Sequence, residues 1–548
     1  MAGTLEIFVA QSGKKSARVH VSGDAVHHLH SLVKPEVESD YFKDLTFWGD
    51  TILLLGTGLG YHLTSALRTL PPSAHIVIID YFPECVEYCR SAQFAGRPNP
   101  VTTISHATDS ATRQKIMESL RLSSGNSVQL IKHPASYHLN REFCDSAVRE
   151  ILAGGLRPST GKKSAAPKPV LLFGSFFLQE ECRRALEKSF GDQPALFKYQ
   201  DYPSAVAYES ALQKLVQSCS PPFILSINMK GFDGNGILGD IAAHFNIPVV
   251  VWFVDDPYPI LLHQGRFIRR NMIACCWEKS FLPYLNTCGF GKSIYLPLAG
   301  DPALFSRTMR IDPTTPLGFV GSPMAGSFLR DLRSKFLWKD SLSALVDQGS
   351  DCVLKNPQTP VSLLIDQCAR ELHIPMPFSD QHNLTWLRSY VIHTASMKKR
   401  KSIVGSLMSM GIETFGDAAE WREMLGPSLT AHPDIDYSRG LADAYRSIAI
   451  NINVTSCQMP HAVNQRVFDI PLSGSFVLTD AQTDASELFK NDMEIVVYRD
   501  INELKDKIGF YRKNAGERDR ITGAAQRRII AGHTYYHRMQ KIIALVSG

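Results

Sequence analysis

The chain has 548 residues, 44% of them hydrophobic and 20% charged, with a formal net charge of +5. That length holds roughly three domains with cores of their own, and a charge so small for the length excludes general polyanion binding, so nucleic acid is not expected as a partner. Eleven cysteines without a C-x-x-C pair point to reduced thiols in a cytoplasmic protein; nothing reads as a secretion leader or a transmembrane segment.

Three histidines near the N-terminus, His27, His28 and His30, have no Cys or acidic ligands at matching close spacing, and they read as surface residues. No metal is expected. Residues 51–67, TILLLGTGLGYHLTSAL, read as strand, glycine loop and helix; after the breaker Pro71-Pro72 a second strand, HIVIID, covers 75–80. This opens a Rossmann-like unit. Its loop glycines are Gly56, Gly58 and Gly60, a G-x-G-x-G pattern rather than the dinucleotide G-x-G-x-x-G, and Asp80 ends the next strand, where an acid can hold a ribose. The loop suits S-adenosylmethionine as well as it suits a bare tight turn; Leu54 stands where methyltransferases often place an acid.

Composition breaks at LRPSTGKKSAAPKPV (156–170), so a linker is placed there, between an N-terminal domain at 1–155 and a second domain at 171–310. The second domain alternates strands (VLLFGSFF 170–177, FILSINM 223–229, IPVVVWFV 247–254, MIACCW 272–277, SIYLP 293–297) with helical patterns, which implies a parallel α/β sheet. Asp233, in the loop KGFDGNG, and Asp255 and Asp256, in the turn DDPYP, are the carboxylates expected near an acceptor hydroxyl; an inverting transfer needs one of them, or a His, as general base.

A third domain, 311–548, starts with the strand LGFVGS (317–322). Long amphipathic patterns over 325–405 read as a helical insertion; the run MKKRK (397–401) has two readings, cations for phosphate or an acidic acceptor and a solvated helix face, and the solvated face is the one expected. The stretch Asn451 to Asp480 reads as strand, loop, short helix, glycine turn and strand, with polar residues at strand ends where open α/β sheets bind ligands. Arg466 is the cation expected beside a diphosphate, with the backbone amides from His461 to Asn464 as further donors. Asp469 can accept from two ribose hydroxyls. Gly474 suits a left-handed helix cap, Pro471 predicts a kinked or shortened helix, and Glu487 either faces the nucleotide or caps a helix.

Several pieces of the C-terminal third, in fixed order, carry a family likeness: IAININ (448–453), VNQRVFDIPLSGSFVLTD (463–480), ELF (487–489), EIVVYRDINELKDKIGFY (494–511), ER (517–518) and HTYYHR (533–538). With them the chain resembles glycosyltransferases related to the spore maturation protein CgeB, themselves similar to the retaining GT-B enzymes; the segment PLAGDPALF (297–305) resembles their crossing segment. The resemblance implies an α/β GT-B fold: two facing Rossmann-like domains, here preceded by the N-terminal Rossmann-like domain, with a final helix around Tyr536–Val546 crossing back. It further implies a nucleotide-sugar donor, no metal, and a protein or cell-surface glycan acceptor. In that group a Glu five residues before the helix-end Gly binds the ribose, and Asp469 stands there; another Glu eight positions earlier lies near the sugar, and His461 takes its place. The stretch GTGLGYHL also resembles the motility accessory factors that glycosylate flagellin, which suggests flagellin as the acceptor. The rival readings are a methyltransferase in residues 1–155 and a non-catalytic sugar-binding scaffold.

Overall fold

The computed structural model describes residues 3–21, 25–121, 127–153, 167–176, 178–306, 312–374 and 379–547. The expected linker lies outside these residues apart from 167–170. The chain groups into two compact units: Met1–Phe176, Pro194–Leu225 and Lys230–Val249 in one, Phe177–Gln193, Ser226–Met229 and Val250–Gly548 in the other.

The first unit opens with an antiparallel meander that the sequence did not announce, β1 (Thr4–Val9), β2 (Lys15–His20) and β3 (Val26–His28). A parallel sheet follows, β4 (Thr51–Leu55), β5 (His75–Ile79), β6 (Val101–Ile104) and β7 (Val128–Lys132), in the order β6-β5-β4-β7. Every residue of β4 is buried, as an all-aliphatic strand inside a parallel sheet requires. The helix expected at the end of 51–67 is instead a pair of 3₁₀ turns, Tyr61–Leu63 and Ala66–Thr69. Pro71 forces Leu70 into an extended conformation, and the few residues left after Gly60 are too short for a cooperative α-helix.

The exposed edge of β7 is closed by side chains. On the helix Ala205–Cys219, Gln213 exchanges hydrogen bonds of 2.8 Å with the N–H and C=O of Leu130, and Gln217 does the same with Val128 at 2.9 and 2.6 Å. A primary amide offers the same donor and acceptor as a peptide group, so the two glutamines substitute for a neighbouring strand.

A six-stranded sheet comes next, β8 (Val170–Phe173), β9 (Ala195–Lys198), β10 (Ile224–Ile227), β11 (Val249–Phe253), β12 (Met272–Cys276) and β13 (Lys292–Tyr295), in the order β13-β12-β11-β10-β8-β9. The last sheet is parallel throughout and belongs to the second unit: β14 (Gly318–Val320), β15 (Glu413–Phe415), β16 (Thr430–His432), β17 (Asn451–Asn453), β18 (Val477–Asp480) and β19 (Val496–Tyr498), in the order β16-β15-β14-β17-β18-β19. Phe319, Ile452 and Leu478 carry its core. The α/β class with several Rossmann-like parallel sheets is therefore what the molecule has.

Among the described residues between β14 and β15 the chain runs through four α-helices, Gly326–Arg333, Leu342–Lys355, Val361–Glu371 and Gln381–Ser406, and a 3₁₀ turn, Met408–Met410. The helix Gln381–Ser406 buries polar residues as well as apolar ones, Ser389, Thr394, Ser396 and Arg400 among them. At the C-terminus the helix Tyr535–Ser547 packs on the helix Gln179–Phe190. Gly300 bridges to Thr534, and Arg538 donates to the carbonyls of Pro297 and Leu298 at 2.8 Å each. A Cβ at Gly300 would stand 2.4 Å from Leu472 Cδ1 and 3.2 Å from Phe468 Cβ, so a larger residue here would have to displace side chains of the helix Arg466–Leu472.

Candidate functional site

Two guanidinium groups are buried at the carboxyl ends of β14 and β17. Arg466 begins the helix Arg466–Leu472; its Nε donates to Asn453 Oδ1 at 2.8 Å, and its Nη atoms donate to the carbonyls of Val320 (3.2 Å) and Val454 (3.3 Å). Arg400 lies near the end of the helix Gln381–Ser406, 6% exposed, with Nη1 donating to the Ser322 carbonyl at 2.6 Å and Nε buried without a partner. Both stand over the ring of Phe319, Arg466 at 5.7 Å and Arg400 at 5.8 Å. Every oxygen they reach is neutral. Burial, then the Arg466 charge, push Arg400 down to about 9, and burial lowers Arg466 as well.

Lys399 completes the cluster. Its ammonium is 2.6 Å from Asp480 and 3.3 Å from the Thr455 carbonyl; burial works against it, but Asp480 outweighs the cost and raises it. Asp480 in turn accepts from Thr455 N–H and Oγ1 at 3.0 and 2.8 Å. Three cations thus face one carboxylate in a buried setting where an unpaired charge costs several kcal/mol, about as much as the effective desolvation of one ion. Parallel-strand ends with surplus positive charge fit a diphosphate. The solvated face expected for MKKRK holds only at its rim: Lys401 is exposed and Lys398 pairs with Asp347 and Asp351, while Lys399 and Arg400 point inward. Arg400 lies in the run for which the sequence reading prefers a solvated face over phosphate contact, and that reading does not single it out as a site residue.

The other expected groups fall in several places. Asn464 donates to the same Asn453 Oδ1 as Arg466, at 2.9 Å, and its own Oδ1 is buried without a partner. The amides of His461 and Ala462, expected as diphosphate donors, are occupied: both donate to the Glu278 carboxylate, at 3.0 and 2.8 Å. Asp469 is 1% exposed and lies among Tyr437 and the carboxylates of Glu181 and Asp301; burial, then those two charges, raise it far above the usual carboxylate range against the opposing pull of Arg466. The helix starts at Arg466 and stops at Leu472, one residue after Pro471; Gly474 has φ +85°, the left-handed cap. Glu487 forms an ion pair of 2.5 Å with Lys279.

The three expected catalytic carboxylates serve local structure. Asp233 accepts from the N–H groups of Asn235, Ile237 and Leu238, capping the helix Ile237–His244. Asp255 accepts from Asn228 Nδ2 at 2.7 Å; Asp256 accepts from Tyr258 N–H and pairs with Arg388.

The N-terminal loop is filled by the protein itself. Gly56, Gly58 and Gly60 all have positive φ, and a Cβ would stand 2.4 Å from Tyr137 at the first and 2.4 Å from His30 Nε2 at the second. Asp80 is fully buried and accepts from Gly58 N–H (3.0 Å), Ser136 Oγ (2.9 Å) and Phe82 N–H (3.2 Å), which leaves its oxygens committed rather than turned to a ribose. His30 is buried, not superficial. Its Nε2 accepts from Leu59 N–H at 2.7 Å, so Nδ1 carries the proton and donates to Glu38 at 2.8 Å; His133 Nε2 lies 3.3 Å from the same carboxylate. His30, Glu38 and His133 do offer three ligand atoms within 4.8 Å of one another. The Leu59 contact nevertheless fixes the His30 proton on the nitrogen that would have to bind a metal.

Comparison with known proteins bears on the cationic site. Residues 389–544 match the glycosyl transferase-like family. The match begins on the helix that carries Lys399 and Arg400 and runs through Arg466 and the final helix. With that domain the chain is a glycosyltransferase enzyme. No curated protein matches it. Among solved structures it is similar to sucrose-phosphate synthase of Thermosynechococcus elongatus (10% identity, 69% of this chain and 98% of that one, TM-score 0.37). It is also similar to Anabaena HepE in complex with UDP and glucose (11%, 70% and 100%, 0.38). An alpha-glucosyltransferase in complex with UDP and a 13-mer DNA gives 11%, 70% and 100%, and 0.41. At TM-scores below 0.5 these likenesses add nothing to the chemistry of the site. Among the described residues no helix is long and apolar enough to cross a membrane.

Proposed function

We propose that the chain moves a sugar from a nucleoside-diphosphate donor to a hydroxyl acceptor on a protein or cell-surface glycan, with the diphosphate seated on Arg400, Arg466 and Lys399. The observation that carries this reading is the pair of buried guanidiniums without an acid partner. A fold does not bury such a pair for stability, because replacing buried charges with apolar side chains is often neutral or better. A site that receives a dianion needs them, most of all while the glycosidic bond breaks and negative charge grows on the leaving phosphate. The two six-stranded sheets are proposed as the halves of a GT-B enzyme, supported by the segment at Gly300 and the final helix on Gln179–Phe190. The resemblance of GTGLGYHL to motility accessory factors supports flagellin as the acceptor, and eleven free cysteines support a cytoplasmic setting.

Calorimetric titration with UDP and GDP tests the donor site. Nucleotide binding that Arg400→Ala abolishes in a folded protein is the expected result. Binding unchanged in both Arg400→Ala and Arg466→Ala would place the nucleotide elsewhere.

A further inference from the structure

The helix Gln381–Ser406 is buried on two opposite faces, one apolar and one polar. Leu387, Val391 and Ala395 pack into an apolar cluster with the helices Leu342–Lys355 and Val361–Glu371. On the other side Ser389, His393 and Arg400 form a row, at i, i+4 and i+11, within about 40° of one another around the axis. All three leave a polar atom buried without a partner: Ser389 Oγ, His393 Nδ1 and Arg400 Nε. Ser396, on the same side, is the answered member: its Oγ bonds Ser456 Oγ at 3.1 Å and accepts from Cys457 N–H at 2.9 Å, which fastens the helix to the segment after β17. Burying unpartnered polar atoms opposes folding, so a row of them along one line is matched to a polar ligand that lies along that line.

One end of the row is Arg400. His393 stands two turns away, about 10 Å along the axis, and close enough that the Arg400 charge acts on its ring. A sugar joined to a diphosphate held by Arg400 comes next along such a row. The ring of Phe328, on the helix Gly326–Arg333, lies edge-on to the imidazole at 5.0 Å and is 38% exposed. An apolar surface beside hydrogen-bonding atoms suits a pyranose, which has C–H faces and a rim of hydroxyls. The two ends of the row differ in charge. Burial pushes His393 down to about 4, against the pull of Asp256 and helped by Arg400 and Arg388, so the imidazole is neutral and offers one donor and one acceptor. Arg388, the cation acting on it besides Arg400, is paired with Asp256. A hydroxyl, which both donates and accepts, fits there; a carboxylate would lose water without gaining a cation.

We infer that the row from Ser389 to Arg400, with Phe328 beside it, is the subsite of the transferred sugar, that this sugar is a neutral pyranose rather than an acidic one, and that His393 selects it by hydrogen bonding to its hydroxyls; the inference rests on the reading of Arg400 and Arg466 as the donor pocket. His393 takes no part in breaking the glycosidic bond. It determines which sugar stands beside the diphosphate.

The test is calorimetry on the full chain. UDP and GDP read the diphosphate pocket alone; UDP-glucose, UDP-galactose, UDP-N-acetylglucosamine and GDP-mannose add a neutral sugar; UDP-glucuronic acid and GDP-mannuronic acid carry a carboxylate in place of the C6 alcohol of glucose and mannose. Circular dichroism checks the fold of each variant. At least one neutral donor should bind, and the acidic donor on the same nucleotide should bind more weakly by about tenfold or more. His393→Leu removes both hydrogen-bonding groups and should weaken the neutral donor by about 5–100-fold, as when a hydroxyl loses its buried partner, while affinity for the free nucleotide stays the same. His393→Gln, whose amide again offers a donor and an acceptor, should restore most of that loss. His393→Leu with unchanged donor affinity, an equal loss for donor and free nucleotide, or an acidic donor bound as tightly as its neutral counterpart overturns the inference, and the donor pocket still stands if Arg400→Ala abolishes nucleotide binding. A wild-type protein that binds UDP or GDP but no neutral donor overturns the subsite alone; one that binds no nucleotide overturns both readings.

Discussion

The glycine loop at Gly56–Gly60 and the cationic cluster at Arg400 and Arg466 are built from similar parts: ends of parallel strands, tight turns and buried charge. They differ in whether the charge is answered. Asp80 takes four donors from its own surroundings, Thr57 Oγ1 at 3.5 Å being the longest, and Glu38 takes two imidazoles; burial pushes Glu38 up, but His133 and His30 outweigh it and hold it at about 2. Nothing is left over for a ligand. At the other site two guanidiniums reach only neutral oxygens, and one Nε reaches nothing. A glycine-rich turn is thus compatible with a purely structural role, whereas an unanswered buried cation is a cost that a bound anion offsets.

Removing the unanswered charge should therefore have the largest effect on function. Arg400→Ala and Arg466→Ala are each expected to lower turnover by about 10²–10³-fold, the usual cost of losing one electrostatic partner of a developing anion. For Arg466 the loss should fall more on turnover than on affinity, because the leaving phosphate is most charged in the transition state. Steady-state kinetics beside direct nucleotide binding separate the two. At the answered site the order reverses. Asp80→Ala strands the donors at Gly58, Phe82 and Ser136, and it should cost about 1–3 kcal/mol for each donor left unsatisfied, with nucleotide affinity unchanged. Thermal melts of the variant give the first quantity and calorimetry the second; a loss of nucleotide binding in folded Asp80→Ala would erase the contrast.

Much of this comparison was legible in the residues. The strands came through because aliphatic runs such as TILLL and VVVWF are bounded by glycine and acidic turns. Arg466 could be picked out because it lies in a short polar segment between two apolar strands. Arg400 could not. A basic run reads as solvated when the helix has one wet face, but Gln381–Ser406 buries residues around its circumference, so amphipathic logic fails there. Glu278 was illegible for a different reason: its partners His461 and Ala462 are 183 and 184 residues away, and no local spacing encodes them. Asp80 shows the opposite error, a residue in a ligand-binding position whose lone pairs the fold had already used.

A smaller effect follows from the protonation of the open site. The Arg400 pKa is about 9 because burial and Arg466 both disfavour its charge. Its folded value lies below the ordinary arginine value, so the fold carries the penalty of the charged group below about 9 and sheds it as the pH rises through that value toward the unfolded pKa. Nucleotide binding needs the charged form and moves the other way. Affinity for UDP should be flat up to about pH 8 and about fourfold weaker at pH 9.5, following the charged fraction of a group of pKa near 9. Arg400→Lys, whose amine in the same setting is easier to deprotonate, should shift the fall to lower pH. Affinity constant to pH 10 would mean that Arg400 does not touch the ligand.

The smallest effects should come from the rim of the same basic run, and they test whether neighbours in sequence belong to different environments. Lys398 meets Asp347 and Asp351 on the outer side of the helices, an arrangement of partly exposed groups worth about 0–1 kcal/mol. Lys401 is exposed and should tolerate alanine within about 0.5 kcal/mol. Neither change should alter nucleotide affinity, because successive helix positions turn by about 100° and place these two side chains away from the strand ends that Lys399 and Arg400 face. An alanine scan of 398–401, read by calorimetry at low and moderate salt, should give two silent positions flanking two sensitive ones. Equal losses at all four positions, vanishing together as salt screens them, would show a diffuse basic patch attracting phosphate from solution. The buried, unanswered guanidinium would then have no special part in binding.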